Sequence, residues 1–469
     1  MTDWDGQRFD PGRRVLIIGA ARQGTALAQY MVSQGAEVVL NDRREVEELY
    51  DARQALMDLP IKWVLGGHPI ELLDGVDLVC LSGGVPLTLP IVVEALARGI
   101  PLSNDSQIFL ESAPCKVIGI TGSAGKTTTT MLVGQMAQVA VSSPGSEARA
   151  WVGGNIGNPL ISDLDKMQSE DIVVMELSSF QLEIMTESPQ IAAILNITPN
   201  HLDRHLTMEV YTEAKARIVT NQAQEDIAIL NRDDPGSWGL VDRVHGNIAS
   251  FGLDEFKDFQ VGTYLEDEVL VLKDGSDRTA LFSRDVIRLR GEHNLMNVLA
   301  ACSIAHGAGF PVEAMRVGVE GFEGIPHRLE LVRSWGGADW YNDSIATAPE
   351  RAIAALRSFD EPLVLLAGGR DKDLPWEEFA NIVRERVDHL ILFGEAAALV
   401  DQVVGSVPPG SRPYTIDRCK GLQEAVGIAA QVVEPGDVVL MSPGGTSFDE
   451  FRDFEDRGEW FRSWVKELP

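Results

Sequence analysis

The stretch Thr121-Gly122-Ser123-Ala124-Gly125-Lys126-Thr127-Thr128 follows the apolar run of "CKVIGI" and sets two glycines, a lysine and hydroxyls at the mouth of a helix. Glycines let backbone N–H groups approach phosphate oxygens, and a helix N-terminus favours negative charge. The ordinary phosphate loop has four residues between its first glycine and Gly-Lys. Here the residue five before Gly125 is Ile120, and only Ser123 and Ala124 separate Gly122 from Gly125, so that template fails. The order of residue types still fits a triphosphate, with Lys126 on the β/γ-phosphates and the Thr127 hydroxyl on Mg²⁺. An ordinary turn with a solvated lysine accounts for that order less well.

Two further stretches, "MELSSFQLE" and "NITPNHLDRH", put Glu176, and then His201 and Asp203, just beyond apolar runs. Sites in α/β sheets gather at the carboxyl ends of strands. Mg²⁺ takes oxygen ligands, which suits Glu176; His201 read alone is a structural histidine, and Lys215 in "YTEAKARI" read alone is a solvated helical charge. The turn "GAARQG" keeps Gly19 and Gly24 of a dinucleotide fingerprint but has Ala21 at the middle glycine, which disfavours NAD. Asp42, Arg43 and Arg44 close the next strand. The arginines suit a phosphate or diphosphate, and solvated charge is an equally good reading of that stretch alone.

Three series of elements must position these groups. Residues 1–110 alternate buried strands ("RRVLIIG", "AEVVLND", "VDLVCLSGG") with helices, as in a doubly wound α/β unit. Residues 111–325 hold the loop, the strands "DIVVMEL", "IAAILNI" and "DIAILN", a β-rich insertion near 248–290 and the helix of "GEHNLMNVLAACSIAHGAG". Residues 326–469 alternate "PLVLLAGG", "HLILFG" and "DVVLMSPGG" with helices. A chain of 469 residues exceeds one ordinary core, which agrees with three α/β domains in series.

Composition narrows the function. With 45% hydrophobic and 23% charged residues the chain is globular, and a net charge of −30 argues against nucleic-acid partners. Four cysteines without CxxC spacing indicate neither a zinc cluster nor a disulfide framework. The polar start "MTDWDGQRFDPGRR" and the lack of a long apolar run lead us to expect neither a signal peptide nor membrane insertion, hence a cytoplasmic protein.

Taken together, "TGSAGKTT", "ELSSFQLE", "NITPNHLDRH", "EHNLMN" and "IPHRLE" resemble, in order and over nearly the whole chain, the motifs of the Mur ligase family, ATP-dependent enzymes that build the peptidoglycan stem peptide. "YNDSIATAPE" and "SPGGTSFDEFRDFEDRG" resemble the branch that adds D-glutamate to UDP-N-acetylmuramoyl-L-alanine. The resemblance implies a Rossmann-like N-terminal domain, a P-loop-type central ATPase domain and a Rossmann-like C-terminal domain, in a monomer. It implies that Gly122 to Thr128, Asn294, Asn297, Arg328 and Asp343 surround ATP. It implies that Thr127, Glu176, His201 and a carbamylated Lys215 serve two Mg²⁺ ions. Arg22, Gln23, Asp42, Arg43, Arg44, Ser82, Gly83 and Asn155 fall where the family holds the UDP precursor. Thr347, Lys372, Ser447 and Phe454 fall at its D-glutamate pocket. Ile345 departs from a common lysine, and Arg22-Gln23 from a small apolar pair.

The implied reaction is attack of the precursor carboxylate on the γ-phosphorus, then of the D-glutamate amine on the acyl phosphate, with Lys126, Glu176, His201 and Lys215 as the catalytic set. Keeping an acyl phosphate from water leads us to expect a swing of the third domain on a hinge near 322–328. Folylpolyglutamate synthase shares the last two domains but has no dedicated N-terminal nucleotide domain. A regulatory ATPase would release phosphate without regard to D-glutamate.

Overall fold

The computed structural model describes residues 12–142, 146–256 and 261–469. Three sheets organise them. The first is five-stranded, in the order Lys62–Leu65, Glu37–Asp42, Arg14–Ile18, Leu78–Leu81, Leu102–Ser103, with all its pairings parallel. Val15 to Ile18 are wholly buried because helices cover both faces, which is why this strand reads as a continuous apolar run.

The second sheet has nine strands. Lys116–Thr121, third from one edge, pairs in parallel with Ile172–Glu176 on one side and Ile191–Ile194 on the other. The expected β-rich insertion is the far edge of this same sheet. Asn247–Phe251 pairs in parallel with Val261–Glu266, which continues through Val269–Asp274 to Asp277–Ser283 as an antiparallel meander. The third sheet has six strands, parallel apart from the edge pair Glu330–Trp335 and Ala338–Asn342.

The first two sheets belong to one compact unit, which takes the chain up to Ile287 and again over Glu292–Phe322; the second unit holds Arg288–Gly291 and Glu323–Pro469. Within the first unit the motif residue Gln181 joins the two domains. Its carbonyl accepts from Asn104 Nδ2 at 2.8 Å and its side chain donates to Ser106 Oγ at 2.7 Å. Among the described residues no helix is long and apolar enough to cross a membrane.

Candidate active site

The short loop joins Lys116–Thr121 to the helix Lys126–Val141. Gly125 is the N-cap at φ +81°, with no side-chain cap, and a Cβ there would stand 2.3 Å from Asn297 Oδ1. Only glycine meets both demands. The first N–H groups of this helix have no intrahelical acceptor, so they are available to an anion. Lys126 folds back over the loop, its Nζ donating to Gly122 O at 2.8 Å and Ser123 O at 3.3 Å. Ser123 Oγ shares a 3.0 Å bond with Tyr211 OH.

Behind the loop, Glu176 ends its strand almost wholly buried. Its Oε2 accepts from Thr127 Oγ1 at 2.8 Å and its Oε1 from Asn155 Nδ2 at 2.8 Å. Asn155, expected near the precursor, therefore stands against the carboxylate of the metal set. Lys215 is buried, its Nζ donating to Gly122 O at 2.9 Å and Thr121 Oγ1 at 3.2 Å. Burial, and then the neighbouring Lys126 ammonium, push the Lys215 amine well below its usual range, while Glu176 pulls the other way.

Thr127 and Glu176 supply oxygen donors of the kind Mg²⁺ takes. Among the described residues no group of three or more His, Cys, Asp or Glu converges. This donor set fits a cation that keeps phosphate oxygens and water as its other ligands.

His201, at φ +53°, is exposed and starts the helical turn Leu202–His205. Its ring lies 5.1 Å from that of Phe180, which stacks on His205 at 5.3 Å and carries the Arg204 guanidinium at 4.8 Å. Arg204 Nη1 donates to Gly84 O at 3.0 Å, tying this segment to the first domain. The Asp203 side chain lies outside the described residues. Asn297 Nδ2 donates to Asn294 Oδ1 at 3.0 Å on the helix Glu292–Ala308, so both stand beside the loop through Gly125.

Apart from Asn155, the residues expected at the UDP precursor lie around the first glycine turn and the strand end beside it. Ser82 Oγ donates to Gly19 O at 2.8 Å, and Gly83 N donates to Gln23 Oε1 at 3.4 Å. A Cβ on Gly24 would stand 1.8 Å from Gly19 O, so this glycine serves the turn itself. Asp42 accepts from Ala20 N at 2.8 Å and from Arg44 Nε and Nη2 at 3.0 and 2.8 Å. Burial raises the Asp42 carboxyl, but the Arg44 guanidinium and two backbone N–H groups outweigh it and hold it at about 2. Arg44 is thus committed to Asp42, whereas Arg22 and Arg43 are exposed.

In the second unit Lys372 Nζ donates to Thr347 Oγ1 at 3.3 Å, and Ser447 is buried. Phe454 O accepts from Ser344 Oγ at 2.7 Å, and its ring meets His327 edge-on at 6.3 Å. Arg328 stands between His327 (φ +64°) and Leu329 (φ +44°), two strained residues. Asp343 accepts from Ser442 Oγ at 2.7 Å and Leu329 N at 3.2 Å, and burial pushes its carboxyl up to about 7. Ile345 fills its position without a charge.

Sequence reasoning missed Asn196, Tyr211 and Arg457. Arg457 is fully buried and donates to Ser344 Oγ, Ser344 O and Gly445 O at 2.9, 2.8 and 3.1 Å. It joins the two loops that carry Thr347 and Ser447. Its place three residues after Phe454 was the available signal, because it puts both on one helix face.

The domain models of known families match in the same order: the MurD-like N-terminal domain of Mur ligases over residues 13–104, the Mur ligase middle domain over 120–305 and the Mur ligase glutamate ligase domain over 327–445. The UDP-N-acetylmuramoylalanine–D-glutamate ligase of Symbiobacterium thermophilum is 40% identical over 455 residues, covering 97% of this chain and 98% of the relative. The enzyme of the same name from Pelotomaculum thermopropionicum is 38% identical over 461 residues, with 97% and 98% covered. Among solved structures, UDP-N-acetylmuramate-alanine ligase MurC of Thermotoga maritima (TM-score 0.57, 18% identity, 97% of this chain and 99% of that one) and MurF of Acinetobacter baumannii (TM-score 0.56, 20% identity, 98% and 92%) share the fold. From its first sheet to its third, this chain belongs to the Mur ligase family.

Proposed function

We propose that the chain joins D-glutamate to UDP-N-acetylmuramoyl-L-alanine with ATP, in cytoplasmic synthesis of peptidoglycan precursors. The observation that carries this reading is the match, end to end, with relatives bearing that activity in their names. The loop geometry supports it: a short phosphate loop whose Thr127 is joined to the buried Glu176. We assign the precursor to residues 1–110, ATP to 111–325 and D-glutamate to 326–469, in a monomer.

The precursor carboxylate oxygen bonds to the γ-phosphorus as the bond to the ADP oxygen breaks. The D-glutamate amine then bonds to the acyl carbon, and phosphate leaves. The electrostatic problem is an anion approaching a polyanion. Lys126 releases the loop carbonyls and turns its ammonium to the β/γ-phosphates, while the N–H groups that begin its helix hold phosphate oxygens. Bound Mg²⁺, in two ions, neutralises phosphate charge; Thr127, Glu176 and His201 would hold it. Lys215, whose amine burial and the Lys126 ammonium hold well below its usual range, is the amine that CO₂ can carbamylate, adding an anionic oxygen ligand. On the second unit Lys372 and Thr347 hold the glutamate carboxylate and Ser447 and Phe454 line its pocket. Lys372 does this without a second cation at Ile345.

A ligation assay offering D-glutamate, L-glutamate, L-lysine and diaminopimelate separately tests the reading. Product with D-glutamate alone is expected. Product with a diamino acid, or ADP release that ignores every amino acid, would overturn it.

A further inference from the structure

The short loop is gripped from outside by the segment that follows Ile191–Ile194. Ser123 N donates to Asn196 O at 2.9 Å, and Ser123 Oγ donates to Thr198 O and accepts from Thr198 N, both at 2.9 Å. Between these contacts the Asn196 side chain closes on Ala124 from both sides. Its Oδ1 accepts from Ala124 N at 2.8 Å and its Nδ2 donates to Ala124 O at 3.2 Å. A primary amide is the side-chain group that can offer an acceptor and a donor to one residue's backbone in this way.

The consequence follows from peptide geometry. In a planar trans peptide the C=O and the N–H point in opposite directions. Fixing Ala124 O towards Asn196 therefore turns the Gly125 N–H away from Asn196, and Gly125 is the uncapped N-cap of the loop's helix. With only Ser123 and Ala124 between Gly122 and Gly125, the loop has few N–H groups to spread around phosphate, so the aim of each counts for more. Five residues after Asn196 the same segment reaches His201.

We propose that Asn196 is a positioning residue for the triphosphate: it locks the peptides on either side of Ala124 so that the Gly125 N–H is aimed at phosphate before nucleotide arrives. This rests on the ATP site proposed above and names what shapes it.

The test uses the full chain. Binding of Mg-ADP is measured by calorimetry, and kcat and KM are measured for each of the three substrates. Asn196→Ala should weaken Mg-ADP binding and raise KM for ATP about tenfold, leave KM for D-glutamate and for the UDP precursor unchanged, and shift Tm by no more than about 2 °C. Asn196→Asp keeps an acceptor for Ala124 N but cannot donate to Ala124 O and adds negative charge, so it should bind nucleotide no better than Asn196→Ala. It also serves should the alanine variant fail to fold. Wild-type nucleotide affinity in both variants, or a uniform loss across all three substrates with a large fall in Tm, overturns the inference. A wild-type chain that neither binds Mg-ADP nor ligates would instead sink the ATP-site reading itself.

Discussion

Buried Glu176 receives Thr127 Oγ1 on one carboxylate oxygen and Asn155 Nδ2 on the other, each at 2.8 Å. A residue of the phosphate helix and a residue of the neighbouring strand end are thereby set by one anionic group. Glu176→Gln keeps the shape and removes the charge. Steady-state kinetics should show kcat reduced on the order of 10²–10³-fold with Tm nearly unchanged. Activity close to wild type would mean that the carboxylate is not used.

Lys126→Ala should abolish turnover, because the ammonium that now bonds Gly122 O and Ser123 O has no substitute in the loop. Lys215→Ala should lose activity and regain part of it with added acetate or propionate, which replace the anionic oxygen of a carbamate. Lys215→Arg should not be rescued. Full activity of Lys215→Ala without any additive would remove the carbamate.

Asp343 makes stability depend on pH with a definite sign. Its carboxyl titrates at about 7 in the folded chain, against an ordinary value of 3.8. Between those values the folded state binds more protons than the unfolded one, so stability falls as pH rises from about 4 to about 7. A shift of this size corresponds to at most about 4 kcal/mol. Asp343→Asn should flatten the denaturant midpoint of the second unit against pH over that window. An unchanged slope would contradict it.

Arg457→Met keeps most of the buried volume and leaves Ser344 O and Gly445 O without their donor. Losing a buried charged group's hydrogen bonds costs about 3 kcal/mol, to be read as a lower midpoint for the second unit. KM for D-glutamate should rise while KM for ATP holds, since Ser344 and Gly445 belong to the loops bearing Thr347 and Ser447.

The phosphate loop and Glu176 were legible because their signals are local: polar groups at fixed offsets beyond apolar strands. The parallel cores were legible for the same reason, since strands such as Val15 to Ile18, buried on both faces, cannot alternate. Asn196 was not legible. Its partner Ala124 is distant in sequence and is brought alongside by the pairing of Thr121 with Ile194, a register that no spacing encodes. The burial of Arg457 could be read only from its spacing to Phe454, because a lone arginine on a charged helix otherwise reads as solvated. The region near 248–290 read correctly as β-rich, but its attachment to the edge of the central sheet depends on long-range pairing. Lys215 shows the limit most sharply, because its local pattern is that of a surface lysine and the family resemblance alone marked it.

The most direct measurement follows oxygen. UDP-N-acetylmuramoyl-L-alanine labelled with ¹⁸O in the alanyl carboxylate is incubated with the full chain, ATP, Mg²⁺ and D-glutamate, and the released phosphate is examined by mass spectrometry. Activation at the Lys126 loop requires each phosphate to carry one labelled oxygen from the carboxylate, in step with product. Amide product accompanied by unlabelled phosphate would contradict it.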